Sequence, residues 1–108
     1  MQILTPWISS ISSALSISIV NKTANYTLVV GTDYRITADA TAGNIVITLP
    51  QWASTSGSIF SVIKIDATAN TVTLTPISGL INGATTKVIS AQYTNIVSQS
   101  NGTNYFIE

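Results

Sequence analysis

Side chains that could carry out chemistry are scarce in this sequence. Its 108 residues include no His and no Cys, which excludes Ser-His-Asp and Cys-His nucleophiles and removes the usual ligands of zinc and other transition metals. The carboxylates available to a general acid and base pair are Asp33, Asp39, Asp66 and Glu108. The glycines show no phosphate-binding spacing such as GxGxxG. We therefore expect a protein that is not an enzyme and that uses no metal or cofactor.

Two of these carboxylates belong to an internal repeat. Residues 39–50 resemble residues 66–76: each segment begins Asp-Ala-Thr-Ala, runs into an alternating strand pattern and stops at a proline. An Asp before a turn ordinarily accepts hydrogen bonds from backbone amides, so we predict that Asp39 and Asp66 cap turns. Asp33 lies close to Arg35 in the sequence and on the same predicted strand face, which predicts a surface ion pair.

The composition is apolar and almost uncharged. Charged residues make up 7% of the chain and the formal net charge is zero, so Ser and Thr supply most of the polarity. Such a chain has no basic patch for nucleic acid and lacks the charge that keeps monomers apart. Its apolar start is interrupted by Ser and has no basic signal-peptide region. We therefore expect an oligomer that binds no nucleic acid and does not insert into a membrane.

From Leu15 onward the apolar residues recur with a period of two, which places alternate side chains on one face of a β-strand. Pro50 and Pro76 end two of these runs, because proline cannot donate to a sheet ladder. The Asn-Gly pair at 101–102 is a strong hairpin signal. The sequence predicts an all-β fold, either an antiparallel β-sandwich or a β-prism-like module over residues 17–108. Either fold accommodates the repeat, since two copies are fewer than a stacked solenoid generally requires.

Some of these runs leave the buried face undecided. In residues 58–65, apolar side chains fall on both faces of the predicted strand, a pattern compatible with burial on either side. In residues 71–75, Thr alternates with Val and Leu. This threonine row favours a solvated strand face, because threonine packs on a pleated sheet while its hydroxyl faces water.

Residues 1–16 are predicted to form an extended N-terminal arm that attaches to the capsid or another partner. The alternative is a short helix capped by Thr5 with Pro6 at its first position, although the serines of this segment make a poor helix interior. The predicted interface residues are the large apolar side chains of the arm and one aromatic residue in a loop that has no strand pattern. They are Trp7, Ile8, Ile11, Leu15 and Trp52.

Several segments, taken in order, resemble the small β-rich modules of tailed-phage structural proteins. In those families a strand ending in Leu-Pro precedes a Gly-led strand with Ile-Lys, an Asn-x-Val-Thr run ending in Pro and an Ile-x-Gly turn. The matching residues here are 33–38, 45–50, 57–66, 70–76, 81–83 and the closing hairpin at 97–107. The resemblance covers residues 27–108 and transfers no functional residue, because such families share a fold rather than a site.

The resemblance implies a structural protein of a bacteriophage virion, made in the host cytoplasm and assembled as a homotrimer. Modules of this kind occur in tail fibres, receptor-binding tips, head fibres and capsid decoration proteins. The short chain favours a capsid decoration or head-fibre protein whose arm binds the major capsid protein or another virion protein. The alternative is a tail-fibre or receptor-binding adhesin whose loops, including Trp52, bind a host glycan or surface protein.

Overall fold

The computed structural model describes residues 18–51 and 55–107. This part of the chain is nearly all β-structure, as predicted, and contains no α-helix. Within the described ranges, no helix is long and apolar enough to cross a membrane. The strands are β1 (Ile19–Lys22), β2 (Tyr26–Thr27), β3 (Arg35–Ala38), β4 (Ile45–Leu49), β5 (Ile59–Lys64), β6 (Val72–Pro76), β7 (Lys87–Ile89), β8 (Asn95–Ser100) and β9 (Tyr105–Ile107).

The strands form two mixed sheets. Sheet A has the order β1-β3-β5-β8-β9, and sheet B has the order β2-β4-β6-β7. From β1 to β6 the chain alternates between the sheets, and each strand pairs in parallel with the preceding strand of its own sheet. These strands therefore make three stacked coils, β1–β2, β3–β4 and β5–β6, each contributing one strand to each sheet.

The prediction of an antiparallel module is right for the C-terminal strands and wrong for β1 to β6. β7 pairs antiparallel with β6, β8 with β5 and β9 with β8. Among the coils, successive strands of one sheet are separated by a strand of the other sheet. The chain therefore re-enters each sheet in the same direction, and the pairs are parallel.

The internal repeat corresponds to one coil. Ile45 of β4 pairs with Val72 of β6, and their separation along the chain is the same as that between Asp39 and Asp66, where the two similar segments begin. These segments thus lie side by side in neighbouring coils. The first coil is shorter, since β1 pairs with β3 across a smaller separation along the chain.

Asparagines at the turn between the sheets join one coil to the next. The side-chain oxygen of Asn25 accepts a hydrogen bond from the amide of Val46 at 2.8 Å. Asn44 accepts one from the amide of Thr71 at the same distance. Each asparagine therefore fixes the start of a sheet B strand in the following coil.

Both sheets contribute to one apolar core. Buried side chains alternate along β3 to β6, as the period of two predicted. The largest of them, Phe60 and Tyr105, pack with their ring centroids 6.3 Å apart. The buried apolar cluster comprises Leu28, Ile36, Ala38, Ala40, Ile45, Ile47, Leu49, Phe60, Val62, Val72, Leu74, Ile81, Ile89, Ile96 and Tyr105.

Gly79 marks a close approach between the segment after β6 and the turn of the closing hairpin. Its φ is +75°, and a Cβ atom there would lie 2.0 Å from the carbonyl oxygen of Thr103. We expect Gly79→Ala to lower the free energy of unfolding by about 3 kcal/mol, through backbone strain together with overpacking. Urea denaturation would measure the loss.

Gly83 offers a matched control for that substitution. Its φ is +79°, but a Cβ atom there would meet nothing within 4 Å. Gly83→Ala should therefore cost only the strain of the left-handed conformation, about 1 kcal/mol. Equal losses at Gly79 and Gly83 would show that the contact with Thr103 does not constrain the chain.

Candidate functional site

The interface residues predicted from the sequence lie outside the described part of the chain. This holds for Trp7, Ile8, Ile11, Leu15 and Trp52, and these assignments stay predictions. The division into residues 1–16 and 17–108 also stays a prediction. The described residues nevertheless show how the chain on either side of Trp52 is held and which surface the strands present.

A buried polar cluster fixes both ends of the loop that contains Trp52. The side-chain oxygen of Gln51 accepts hydrogen bonds from the hydroxyl of Thr55 at 3.1 Å and from the hydroxyl of Ser100 at 2.7 Å. All three side chains are buried. Gln51 and Thr55 are therefore held beside Ser100, the last residue of β8.

The outer face of sheet A is the largely uncharged surface formed by the side chains that point away from the core. By register, one row runs Ile19, Arg35, Ser61 and Val97 across four strands. A second row runs Ile59, Gln99 and Phe106, and a third runs Asn21, Thr37, Ile63 and Asn95. Arg35 is the one charged residue in these three rows.

Large apolar side chains on this face are open to solvent. Ile19 is 67% exposed and Phe106 is 54% exposed, and Ile59 and Val97 lie between them. Tyr34, beside the start of β3, lines a groove together with Ile19, Ile59 and Val97. Large exposed apolar side chains gathered on one face of a domain are typical of a binding surface.

A hydrogen-bonded chain of polar side chains crosses the middle of the outer face of sheet A. Arg35 donates from Nη1 to the hydroxyl of Ser61 at 2.8 Å, and that hydroxyl donates to the side-chain oxygen of Asn95 at 2.8 Å. The first of these bonds joins the Arg35 guanidinium to β5. Arginine has five donors, so further N–H groups of Arg35 can reach an external acceptor.

The predicted surface ion pair between Asp33 and Arg35 is wrong. Asp33 is buried, and its carboxylate accepts hydrogen bonds from the hydroxyl of Tyr26 at 2.6 Å and from the amide of Val29 at 2.9 Å. The hydrogen bond to Asp33, together with burial, raises the pKa of Tyr26. Asp33 therefore stabilises the turn before β3, and Arg35 points to the opposite side.

The outer face of sheet B is different in character. Thr27, Thr48 and Thr75 form one row across three strands, and Val46, Thr73 and Val88 form another. This hydroxyl-rich face agrees with the solvated threonine row predicted from residues 71–75. Val88, which is 50% exposed, is its most open apolar residue in these two rows.

Lys64 lies in the core, not at the surface. Its side chain has no exposed area, and its ammonium group donates to the Asp66 carboxylate at 2.8 Å, to the Asp66 carbonyl at 2.9 Å and to the Thr68 carbonyl at 3.0 Å. These bonds use all three N–H groups of the ammonium. A buried charge is tolerated only when it is paired and hydrogen-bonded in this way.

Asp66 connects the second and third coils. Its Oδ1 accepts a hydrogen bond from the amide of Ala40 at 2.8 Å, and its Oδ2 accepts from Lys64 and from the amide of Thr68. Burial alone disfavours the charged carboxylate, but the hydrogen bonds from Lys64, Thr68 and Ala40 outweigh it and hold the pKa of Asp66 well below its usual range. The turn-capping prediction is confirmed for Asp66.

Asp39 occupies the equivalent position in the second coil and makes the equivalent turn. Its Oδ1 accepts hydrogen bonds from the amide of Thr41 at 3.0 Å and from the hydroxyl of the same residue. The turn-capping prediction is therefore confirmed for Asp39 as well. No group of three or more His, Cys, Asp or Glu residues in the described ranges could hold a metal ion.

Comparisons with known proteins identify no relative. The sequence matches no protein-family model, and no curated protein is significantly similar to it. Two mixed sheets around one core place the described chain in the class of nearly all-β domains. They do not identify a particular family.

Proposed function

We propose that this chain is a non-enzymatic structural protein of a bacteriophage virion. Its role would be that of a capsid decoration or head-fibre protein that trimerises on the capsid surface. The observation that carries the proposal is the outer face of sheet A, which exposes several large apolar side chains on a chain with zero formal charge. A protein that functions in an assembly can present such a face, because its partners cover it. The resemblance of residues 27–108 to phage modules supports the same reading.

The carboxylates of Asp33, Asp39 and Asp66 all accept hydrogen bonds within the fold, which supports a structural role. Asp39 and Asp66 cap turns, and Asp33 is bonded to Tyr26 and a backbone amide. Each of these side chains has a task within the fold. A general acid and base pair would instead need two carboxyl groups facing a shared substrate cleft.

The direction of the chain supports attachment through the N-terminal arm. β1 is the first strand in the order of sheet A and β2 is the first in sheet B, whereas β7 and β9 lie at the opposite ends of the two sheets. The arm therefore joins the stack of coils at the end farthest from the closing hairpin. In the proposed particle, the arm binds the capsid protein and the hairpin end points outward.

Deleting residues 1–14 tests this arrangement. We expect the truncated protein to keep its far-ultraviolet circular dichroism spectrum and thermal midpoint, because every described strand lies downstream of the deletion. Its binding to purified capsids that lack the protein should be lost in a cosedimentation assay, whereas the full chain should bind to saturation.

Two results would change the assignment. Full binding by the truncated protein would show that the arm is not the attachment segment. Failure of the full chain to bind capsids, combined with binding to host cells that is lost in Trp52→Ala, would replace the decoration role with that of an adhesin.

A further inference from the structure

We propose that the outer face of sheet A binds a second copy of this chain. The inference deepens the trimerisation of the proposed function by naming the surface through which the copies meet. It depends on three properties of that face, namely its exposed apolar side chains, the placement of its charge and the closed edge of the sheet at β9.

Exposed apolar side chains lie on four of the five strands of this face. Ile59 and Val97 lie on adjacent strands, β5 and β8, with Ile19 towards one edge of the sheet and Phe106 towards the other. These side chains extend across all the strands of sheet A, about 19 Å at the usual strand spacing. An aromatic residue at one side and aliphatic residues at the centre are the composition of a buried interface core.

The charge on this face is placed so that two copies can complement each other. Arg35 lies on β3, three strand spacings from β9, or about 14 Å. The acidic residue Glu108 directly follows Ile107, the last residue of β9, in the sequence. In the sequence, a cation lies on β3 and a carboxylate residue directly follows β9, and we expect each to meet the opposite charge of a neighbouring copy.

The Arg35 guanidinium is restrained by one hydrogen bond and has further donors available for such a contact. Its hydrogen bond to Ser61 restrains the side chain, which reduces the conformational entropy lost on binding. The described carboxylates are committed elsewhere: Asp33 to Tyr26, Asp39 to its own turn and Asp66 to Lys64. The acceptor for the remaining donors of Arg35 is therefore expected from another copy.

The edge of sheet A at β9 is closed to strand pairing. The amide of Asn82 donates to the Tyr105 carbonyl at 3.0 Å, and the Asn82 side chain donates to the carbonyl of Ile107 and accepts from its amide, at 3.1 and 2.9 Å. Asn82 thus takes the place of a neighbouring strand. A second copy is expected to pack against the outer face of sheet A and not to add a strand at this edge.

Sedimentation velocity of two aspartate variants tests the proposed interface. Wild-type protein should sediment as an oligomer, and Val97→Asp should raise its dissociation constant about 100-fold or more, because a strongly hydrated carboxylate would replace an apolar contact in the interface. Val88→Asp is the matched control, since Val88 is also an exposed strand valine but lies on the outer face of sheet B. It should leave the dissociation constant unchanged.

A charge exchange tests the pairing of Arg35 with Glu108. Arg35→Glu alone and Glu108→Arg alone should each raise the dissociation constant about 10-fold. The double variant should return to within a few-fold of wild type, because each new charge again meets its opposite. A double variant weaker than either single one would overturn this pairing.

A labelling experiment covers the case in which Val97→Asp fails to fold. The chain has no cysteine, so Val97→Cys and Val88→Cys each introduce a single thiol. At protein concentrations above the dissociation constant, maleimide should modify Val97→Cys at least 10-fold more slowly than at concentrations below it. The rate for Val88→Cys should not depend on concentration.

The outcomes separate this inference from the proposed function. An oligomer that persists in Val97→Asp, or a thiol at position 97 that reacts equally fast at all concentrations, would overturn the interface and leave the virion role intact. A wild-type chain that remains monomeric in solution and on capsids would overturn the interface and the trimerisation together. Capsid binding by a monomer would preserve the decoration role alone.

Discussion

Lys64→Met should lower the free energy of unfolding by about 3–5 kcal/mol, the usual loss when one partner of a buried ion pair is removed. Methionine fills much of the space of the lysine stem but cannot donate to Asp66 or to the Thr68 carbonyl. The Asp66 carboxylate then stays in the core with one fewer donor, and two carbonyl oxygens lose their partner. Urea denaturation at pH 7, followed by circular dichroism, would measure the change.

The pH dependence of that loss provides its control. Because the folded pKa of Asp66 is depressed, its contribution to wild-type stability is present above the ordinary carboxyl pKa of about 4 and is lost as the pH falls below it. In Lys64→Met the carboxyl protonates more readily, so acid should weaken the variant less than wild type. A difference between the two proteins that stays constant from pH 7 to pH 3 would contradict the ion-pair explanation.

Tyr105→Ala should lower the free energy of unfolding by about 3–5 kcal/mol, as expected for removal of a large aromatic side chain from a core. Tyr105 is fully buried in β9, packs near Phe60 and donates its hydroxyl to the carbonyl of Pro50. Its loss would empty the space between the closing hairpin and the second coil. Thermal unfolding monitored by calorimetry would measure the effect.

Tyr105→Phe separates the ring from the hydroxyl. The ring stays in place in this variant, and only the hydrogen bond to Pro50 is lost, which should cost about 1–2 kcal/mol. Burial raises the pKa of Tyr105 to about 12, so the hydroxyl is a donor throughout the neutral range. Equal losses for the alanine and phenylalanine variants would show that the ring does not contribute to packing.

The positions of most strands follow from the sequence, but their directions do not. Alternation along β4 and β6 predicted the buried residues correctly, and Pro50 follows the end of β4 while Pro76 is the last residue of β6. The pleat has the same period of two in parallel and antiparallel sheets, so alternation carries no information about pairing direction. The internal repeat contained that information, because its period matches the separation along the chain of Ile45 and Val72, which pair in neighbouring coils.

The candidate surface was harder to predict than the fold. Residues 58–65 are apolar on both sides, and only the structure shows that Phe60 and Val62 face the core while Ile59 is exposed. Ile19 belongs to the period-two apolar pattern that starts at Leu15 and is typical of a core strand, yet it lies on the outer face of sheet A. An apolar residue covered by its own chain and one available to a partner have the same sequence signature.

Lys64 illustrates the opposite case, a charged residue that is part of the core. Register places it beside Ala38 of the preceding coil, which in turn lies beside Lys22. Sequence position alone suggests a solvated side chain. The nearby Asp66, whose counterpart Asp39 has no lysine shortly before it, was the available signal that this coil contains an additional charge pair.

The closure of the stack at one end determines the order in which its parts are expected to unfold. β1 and β2 each pair with a strand on one side only among the described strands, as β7 and β9 do, whereas β5 lies between β3 and β8. Local opening is easiest where a strand has the fewest partners, so amide hydrogen exchange should be faster in the first coil than around β5. The ribosome makes the first coil before the strands that pair with it. We therefore expect the first coil to become ordered only after the second coil has been synthesised.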